Sequence, residues 1–135
     1  KETLFETCDI ICVNTPLTDD THHVIDHAAV AKMKENVCIV NTGRGGCIET
    51  SALVEGFKSG KIAGVGLDVI EEEPLRNADA EILQYENVII TSHTGYYSEE
   101  AKYDQYRLCG ETIVQVLNGE LPDNVLNRKD LLSKK

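Results

Sequence analysis

Positive charge is what this sequence has least of. Thirteen Lys and Arg stand against twenty-three Asp and Glu, a formal net charge of -10 over 135 residues. Such a chain repels phosphate backbones and anionic lipid, which argues against nucleic-acid or membrane-surface binding. No apolar run approaches the length that spans a bilayer, and no signal-peptide pattern opens the chain. An initiator Met is also missing; Lys1-Glu2-Thr3-Leu4-Phe5 reads like the interior of a longer sequence. The five cysteines, Cys8, Cys12, Cys38, Cys47 and Cys109, contain no C-x-x-C pair. Together with His22, His23 and His27 they match no metal-site spacing, so no metal is expected. Their odd number, with Cys12 and Cys38 inside apolar runs, fits small hydrophobes in a reducing, cytoplasmic compartment.

What is present is an ordinary globular balance, 41% hydrophobic and 27% charged, long enough for one domain with its own core. Four short apolar runs recur: Ile10 to Val13, Val37 to Val40, Ile62 to Leu67 and Val88 to Ile90. Their starts are separated by 27, 25 and 26 residues. Continuous Ile/Val-rich runs read as strands buried on both faces, the mark of a parallel sheet covered by helices. Helical stretches fill the gaps. Asp26 can cap a helix bearing Ala29, Val30 and Met33, and Thr50 or Ser51 can start another with Leu53 and Phe57 inward, stopped at Gly60. A longer helix is predicted from Ser98 to Leu117, with Tyr103, Tyr106, Gly110, Ile113 and Leu117 at helical spacing and an acidic first turn. Strand and helix alternating at this period predict an α/β fold, a partial Rossmann-like, doubly wound parallel sheet.

In an open parallel sheet, ligands bind outside the carboxyl ends of the strands. One step past the four runs stand Asn14-Thr15-Pro16, Asn41-Thr42-Gly43-Arg44-Gly45-Gly46, Asp68 with Glu71-Glu72-Glu73-Pro74, and Thr91-Ser92-His93-Thr94-Gly95. Each cluster alone could be a strand end, a turn or a solvated acidic loop. Arg, Glu and His at three strand ends of one rim are more telling. Arg can hold a carboxylate in a two-pronged geometry. His can exchange a hydroxyl proton near neutral pH with a carboxylate fixing its tautomer. The trio suits transfer at a carbonyl or hydroxyl beside a carboxylate.

Those segments, in this order and from Asp9 to about Asn127, resemble the D-isomer-specific 2-hydroxyacid dehydrogenases. The resemblance implies an NAD-dependent oxidoreductase interconverting a 2-oxo acid and a D-2-hydroxy acid, with NADP left open as cofactor. It implies that Arg44 binds the substrate carboxylate and carbonyl, that Glu73 supports the catalytic His, and that His93 donates and accepts the proton. Asp68 then resembles the partner of the nicotinamide carboxamide, and Thr15-Pro16 and Thr42-Gly43 resemble loops lining the nicotinamide ribose; Arg44, His93 and Gly95 border the same cofactor edge. Gly43 stands where the family usually has Ala or Ser, and Ser92 where it has Pro. Thr94-Gly95-Tyr96-Tyr97-Ser98-Glu99-Glu100-Ala101 and Gly119-Glu120-Leu121-Pro122-Asp123 resemble the C-terminal-binding-protein branch, which makes Tyr96 the candidate for substrate selection. G-x-G-x-x-G is absent, and Gly64-Val65-Gly66 stands inside a strand. Residues 1–118 thus resemble the C-terminal half of the NAD-binding domain, and 119–135 an extended tail returning toward a substrate domain. A small 2-oxo or 2-hydroxy acid as partner and a homo-oligomer are expected. The alternative is a corepressor-like binding module of the same fold, in which NAD tunes partner binding.

Overall fold

The computed structural model describes residues 1–75 and 80–133. In chain order the elements are α1 (Glu2–Thr7), β1 (Ile10–Val13), α2 (His27–Lys32), β2 (Val37–Asn41), α3 (Thr50–Lys58), β3 (Ile62–Leu67), β4 (Val88–Ile90), α4 (Glu99–Leu117) and α5 (Arg128–Ser133). Short 3-10 turns lie at Gly45–Cys47 and Glu81–Gln84. Lys1–Gly95 and Tyr96–Lys135 are separate compact units.

The first unit is built on a four-stranded parallel sheet in the order β1-β2-β3-β4. All four apolar runs are strands, as their Ile/Val content requires. The helices between them start and stop for local reasons. Asp26 caps α2, its carboxylate accepting the Ala29 N–H at 2.7 Å. Helix α3 runs to Lys58, and Gly60 follows it at φ 74°. Ile11, Ile39 and Val65 from the strands are buried with Val30, Met33 and Leu53 from the helices and their ends. Each such side chain removed from water contributes about 1.5–3 kcal/mol.

Burial on both faces of the sheet is not what residues 1–95 show. Helix α1 packs on α2, α2 on α3, and α3 on β3, so these helices form one layer. The residues that point the other way remain open: Ile10 and Cys12 in β1 are exposed, and Ile89 in β4 is 69% exposed. Parallel strands do not alternate in sequence because both faces are meant for burial. Among the described residues of this unit, helices cover one face of the sheet. Cys12 is therefore an exposed thiol rather than a core residue, whereas Cys47 is buried.

In the second unit the long helix forms as expected, with Ser98 as its cap accepting the Ala101 N–H at 3.0 Å. Its apolar positions are not inward. No α4 residue is buried, and Tyr106 and Leu117 are 76% and 80% exposed. Ion pairs along its own surface, Lys102–Glu99, Arg107–Asp104 and Arg107–Glu111, support it instead. The break in packing falls after Gly95. The tail is not extended throughout, because Arg128–Ser133 form α5, while Arg128 ties back to the Pro122 carbonyl at 2.7 Å. The last two residues, Lys134 and Lys135, lie outside the described residues. Among the described residues no helix is long and apolar enough to cross a membrane.

The two kinds of local support differ in size. Leu53→Ala should cost about 2–5 kcal/mol in urea unfolding because it opens a cavity in the core. Asp26→Ala, which removes only a cap, should cost about 0.5–2 kcal/mol. A smaller loss for Leu53→Ala than for Asp26→Ala would place the core elsewhere.

Candidate functional site

The strands end on one line. Val13 pairs with Asn41, Asn41 with Leu67, and Leu67 with Ile90. The four polar segments therefore leave the sheet at the same level and on the same edge, and Arg44, Glu73 and His93 follow three neighbouring strands.

The segment after β2 is shaped by a side chain. Asn41 is fully buried. Its Oδ1 accepts the Gly43 N–H at 3.0 Å and its amide nitrogen donates to the Arg44 carbonyl at 3.0 Å. An Asx-type turn of this kind fixes the backbone of Thr42 to Arg44 without help from the ladder. Thr42 Oγ1 donates to Asn14 Oδ1 at 2.7 Å, which joins the loop to the end of β1. Gly43 lies so close to that loop that a Cβ would stand 2.8 Å from the Thr15 carbonyl oxygen. The departure from Ala or Ser at this position thus matches the local spacing. Thr15 Oγ1 lies 3.5 Å from the buried Cys47 Sγ, and the Pro16 carbonyl accepts the Thr21 hydroxyl at 2.6 Å. Arg44 is exposed, and its guanidinium donates to the Gly43 carbonyl at 2.8 Å. It has no carboxylate partner among the described residues.

Asp68 is the hub of the next two segments. Its Oδ1 accepts the Thr91 hydroxyl and the Thr94 N–H (2.9 Å), and its Oδ2 accepts the Gly95 N–H (2.8 Å). These bonds, the Thr91 hydroxyl first, hold its carboxyl below the usual carboxylate range. Its backbone carbonyl accepts the His93 N–H at 2.9 Å. His93 itself sits at φ 55°, a left-handed conformation uncommon for a side-chain-bearing residue. That backbone turn is held from both sides by the Asp68 bonds.

Glu73 and His93 meet. Glu73 Oε2 lies 2.9 Å from His93 Nδ1, and Glu73 Oε1 accepts the Ile70 N–H at 3.1 Å. The hydrogen bond with His93 outweighs partial desolvation and, with the Ile70 N–H, holds the Glu73 carboxyl below its usual range. A cavity of about 550 Å³ opens beside the pair, lined by Asp68, Ile70, Pro74, Ile90 and Thr91 among others. The arrangement can present an oriented imidazole to a small molecule at the rim.

Several side chains at the rim escaped the sequence reading. Asn41 was legible only as a strand end. Glu71 accepts the Thr50 N–H at 2.8 Å and pairs with His23 Nε2 at 2.7 Å. Nothing in the spacing of His23 and Glu71, 48 residues apart, announces that pairing. His27, another of the histidines that matched no metal spacing, lies 2.9 Å from Ser51 Oγ and 2.7 Å from Glu55 Oε2. Tyr96 opens the second unit, 57% exposed and edge-on to Tyr97 at 5.9 Å.

An open parallel sheet with polar loops gathered at its carboxyl rim is the architecture of an α/β dinucleotide-binding domain. Residues 1–95 match the profile described as D-isomer specific 2-hydroxyacid dehydrogenase, NAD binding domain, and the chain belongs to that family. It is 39% identical over 132 residues to a glyoxylate reductase of Thermococcus litoralis, covering 98% of this chain and 39% of that protein. It is 42% identical over 132 residues to a D-3-phosphoglycerate dehydrogenase of Methanocaldococcus jannaschii, covering 98% and 25%. A crystal structure of D-lactate dehydrogenase from Aquifex aeolicus, complexed with NAD and lactic acid, matches with a TM-score of 0.80 at 29% identity. That match covers 88% of this chain and 40% of the other. The chain thus spans two fifths or less of the length of these relatives.

The depressed Glu73 carboxyl gives the pair a pH signature. Its folded pKa lies below its unfolded value, so the contact is complete above the ordinary carboxylate range and is lost only as pH falls through the depressed value. A ¹³C titration of the Glu73 carboxyl should show a midpoint below that of a free glutamate, and His93→Ala should move it back up. A midpoint indifferent to His93→Ala would mean that the two side chains do not pair in solution.

Proposed function

We propose that this chain is the second half of the NAD-binding domain of an oxidoreductase that interconverts a small 2-oxo acid and a D-2-hydroxy acid. The observation that carries the reading is the 2.9 Å contact between Glu73 Oε2 and His93 Nδ1 at the carboxyl rim of a parallel sheet. A carboxylate on Nδ1 fixes that nitrogen as the N–H donor. Nε2, which has no partner among the described residues, is then the atom that exchanges a proton with substrate. In the reducing direction, protonated His93 gives its Nε2 proton to the carbonyl oxygen as that oxygen gains charge. In the oxidising direction, neutral Nε2 takes the hydroxyl proton. Glu73 orients the ring and stabilises its charged form; it does not touch the reacting atoms. Arg44 binds the substrate carboxylate through two parallel N–H bonds, a geometry that its planar guanidinium suits.

The bound nicotinamide supplies or accepts the hydride. The residues at the rim fit such a group. Asp68 receives three hydrogen bonds, two on Oδ1 and one on Oδ2, so one acceptor position on Oδ2 stays open for a carboxamide N–H. Thr15, Pro16, Thr42 and Gly43 border the same edge, with Gly95 beside Asp68. Both NAD and NADP belong in the first assay, because no residue described here reads the adenosine ribose.

An enzyme is favoured over a corepressor-like binding module because the relatives reported above are named as reductases and dehydrogenases. Tyr96 and the Tyr97-Ser98-Glu99-Glu100 sequence after it support assignment to the C-terminal-binding-protein branch, with Tyr96 selecting among substrates. In this reading residues 1–118 belong to the NAD-binding half and residues 119–135 to the tail that follows it in sequence.

Replacing His93 by Ala in the protein that carries this chain should lower kcat for glyoxylate reduction by about 10²–10⁴-fold and leave NADH binding nearly unchanged. Wild-type turnover in that variant, measured with glyoxylate and pyruvate, would rule out the proton relay. Arg44→Lys keeps the charge and loses the planar fork, so KM for the oxo acid should rise more than the Kd for cofactor. An unchanged KM would remove Arg44 from the substrate site.

A further inference from the structure

Glu73 does not reach His93 from a rigid element. It sits in the loop after β3, where Glu71, Glu72 and Glu73 are consecutive and repel one another. A carboxylate in such a loop stays at a fixed place only if the loop is tied down on both sides of it. His93 holds one side. The other ties run through Glu71.

The Glu71 carboxylate bridges two segments from elsewhere in the chain. One oxygen accepts the Thr50 N–H, the first N–H of α3, at 2.8 Å; the other meets His23 Nε2 at 2.7 Å. His23 is in turn seated on the Arg44 segment, its backbone N–H donating to the Gly46 carbonyl at 2.9 Å. Next to this bridge the two loops touch directly. A Cβ on Gly45 would stand 1.7 Å from the Ile70 carbonyl oxygen, so only glycine permits the approach. Ile70 passes the constraint on, because its N–H donates to Glu73 Oε1 at 3.1 Å. His23 adopts φ 48° and stacks on His22 with ring centroids 3.9 Å apart. A left-handed backbone at a bulky residue persists where its surroundings over-determine it.

We propose that the Glu71–His23 pair is a strut that locks the Glu73 segment to the Arg44 segment, so that Glu71 and His23 are positioning residues for the Glu73–His93 pair. The strut fixes two distances at once: Glu73 to His93, and the relay pair to Arg44. Neither Glu71 nor His23 touches substrate. Partial burial pushes the Glu71 carboxyl up, but the Thr50 and His23 hydrogen bonds outweigh it and hold it below its usual range, so Glu71 remains an ionised acceptor for both donors near neutral pH. This inference rests on the reading of Glu73 and His93 as the relay.

The test is the ¹³C titration of the Glu73 carboxyl in the whole protein, compared across variants. Glu71→Ala and His23→Ala should each raise the Glu73 midpoint toward that of free glutamate, because Glu73 then leaves His93 for part of the time. The urea midpoint should change little, since both side chains are partly exposed at the surface. His23→Gln should restore the wild-type midpoint, because its amide N–H replaces Nε2 opposite Glu71. If Glu71→Ala fails to fold, His23→Ala decides, as it cuts the same strut from the other end. A Glu73 midpoint unchanged in a folded Ala variant overturns the strut. If His93→Ala still raises that midpoint, the relay reading survives and only the strut falls. A wild-type midpoint equal to that of free glutamate overturns both.

Discussion

Every functional contact in this chain depends on the register of the parallel sheet. Because Val13, Asn41, Leu67 and Ile90 stand side by side, the residues that follow them start from one level. The loops need not be long to meet. Thr42 reaches Asn14, Asp68 reaches Thr91, and Glu73 reaches His93, each across one inter-strand step. A slip of one residue in β3 would turn Asp68 to the other face of the sheet and break three of its hydrogen bonds. The apolar core under the strands therefore supports the site by fixing the register more than by any direct contact with it.

The carboxylates show how an acidic chain tolerates such a rim. Asp68, Glu71 and Glu73 lie within six residues, where mutual repulsion favours protonation. Each is held below its ordinary pKa by its own donors: a hydroxyl and backbone N–H groups for Asp68, a helix N–H and His23 for Glu71, His93 and a backbone N–H for Glu73. Hydrogen bonds to the charged form compensate for the crowding. Glu71 and Glu73 each pair with an imidazole, and only the one beside Glu73, His93, directly follows a strand of the sheet. Asp68 and Glu71 hold backbone in place, which is work a neutral carboxyl does poorly.

The strands were legible because short apolar runs recur at a βα period, and each of the four runs forms a strand of the parallel sheet. The caps at Asp26 and Ser98 were legible for a local reason: an Ncap oxygen must lie next to the N–H groups it accepts. The cover of each face was not legible. Ile10, Cys12 and Ile89 look like core in one dimension, but whether they are covered depends on elements that no local pattern reports. For Tyr103, Tyr106 and Ile113 of α4 the spacing reports a helix and not what covers it, and all three are exposed. At the rim, Arg44, Glu73 and His93 were legible as candidates because each lies in the polar segment that follows a strand. Glu71 and His23 were not legible as a pair, since their pairing is set by how two loops fold over Gly45.

Arg44 stands apart from its neighbours at the rim. In a chain with twenty-three acidic residues, an exposed guanidinium has many carboxylates available, yet among the described residues it donates only to the Gly43 carbonyl next to it. Its backbone is not free to drift toward one, because Asn41 holds both Gly43 N–H and Arg44 carbonyl from a buried position. Gly45 pins the following residue against Ile70. The loop thus keeps a cation where the sheet ends, and two acidic side chains of the facing loop are engaged with other donors. Glu71 is taken by Thr50 and His23, and Glu73 by Ile70 and His93. A cation held in place, with no carboxylate partner among the described residues, is suited to an anion that arrives from outside, and a carboxylate matches its two-pronged geometry. The same hydrogen bonds that order Glu71 and Glu73 therefore leave the Arg44 guanidinium without a carboxylate partner among the described residues.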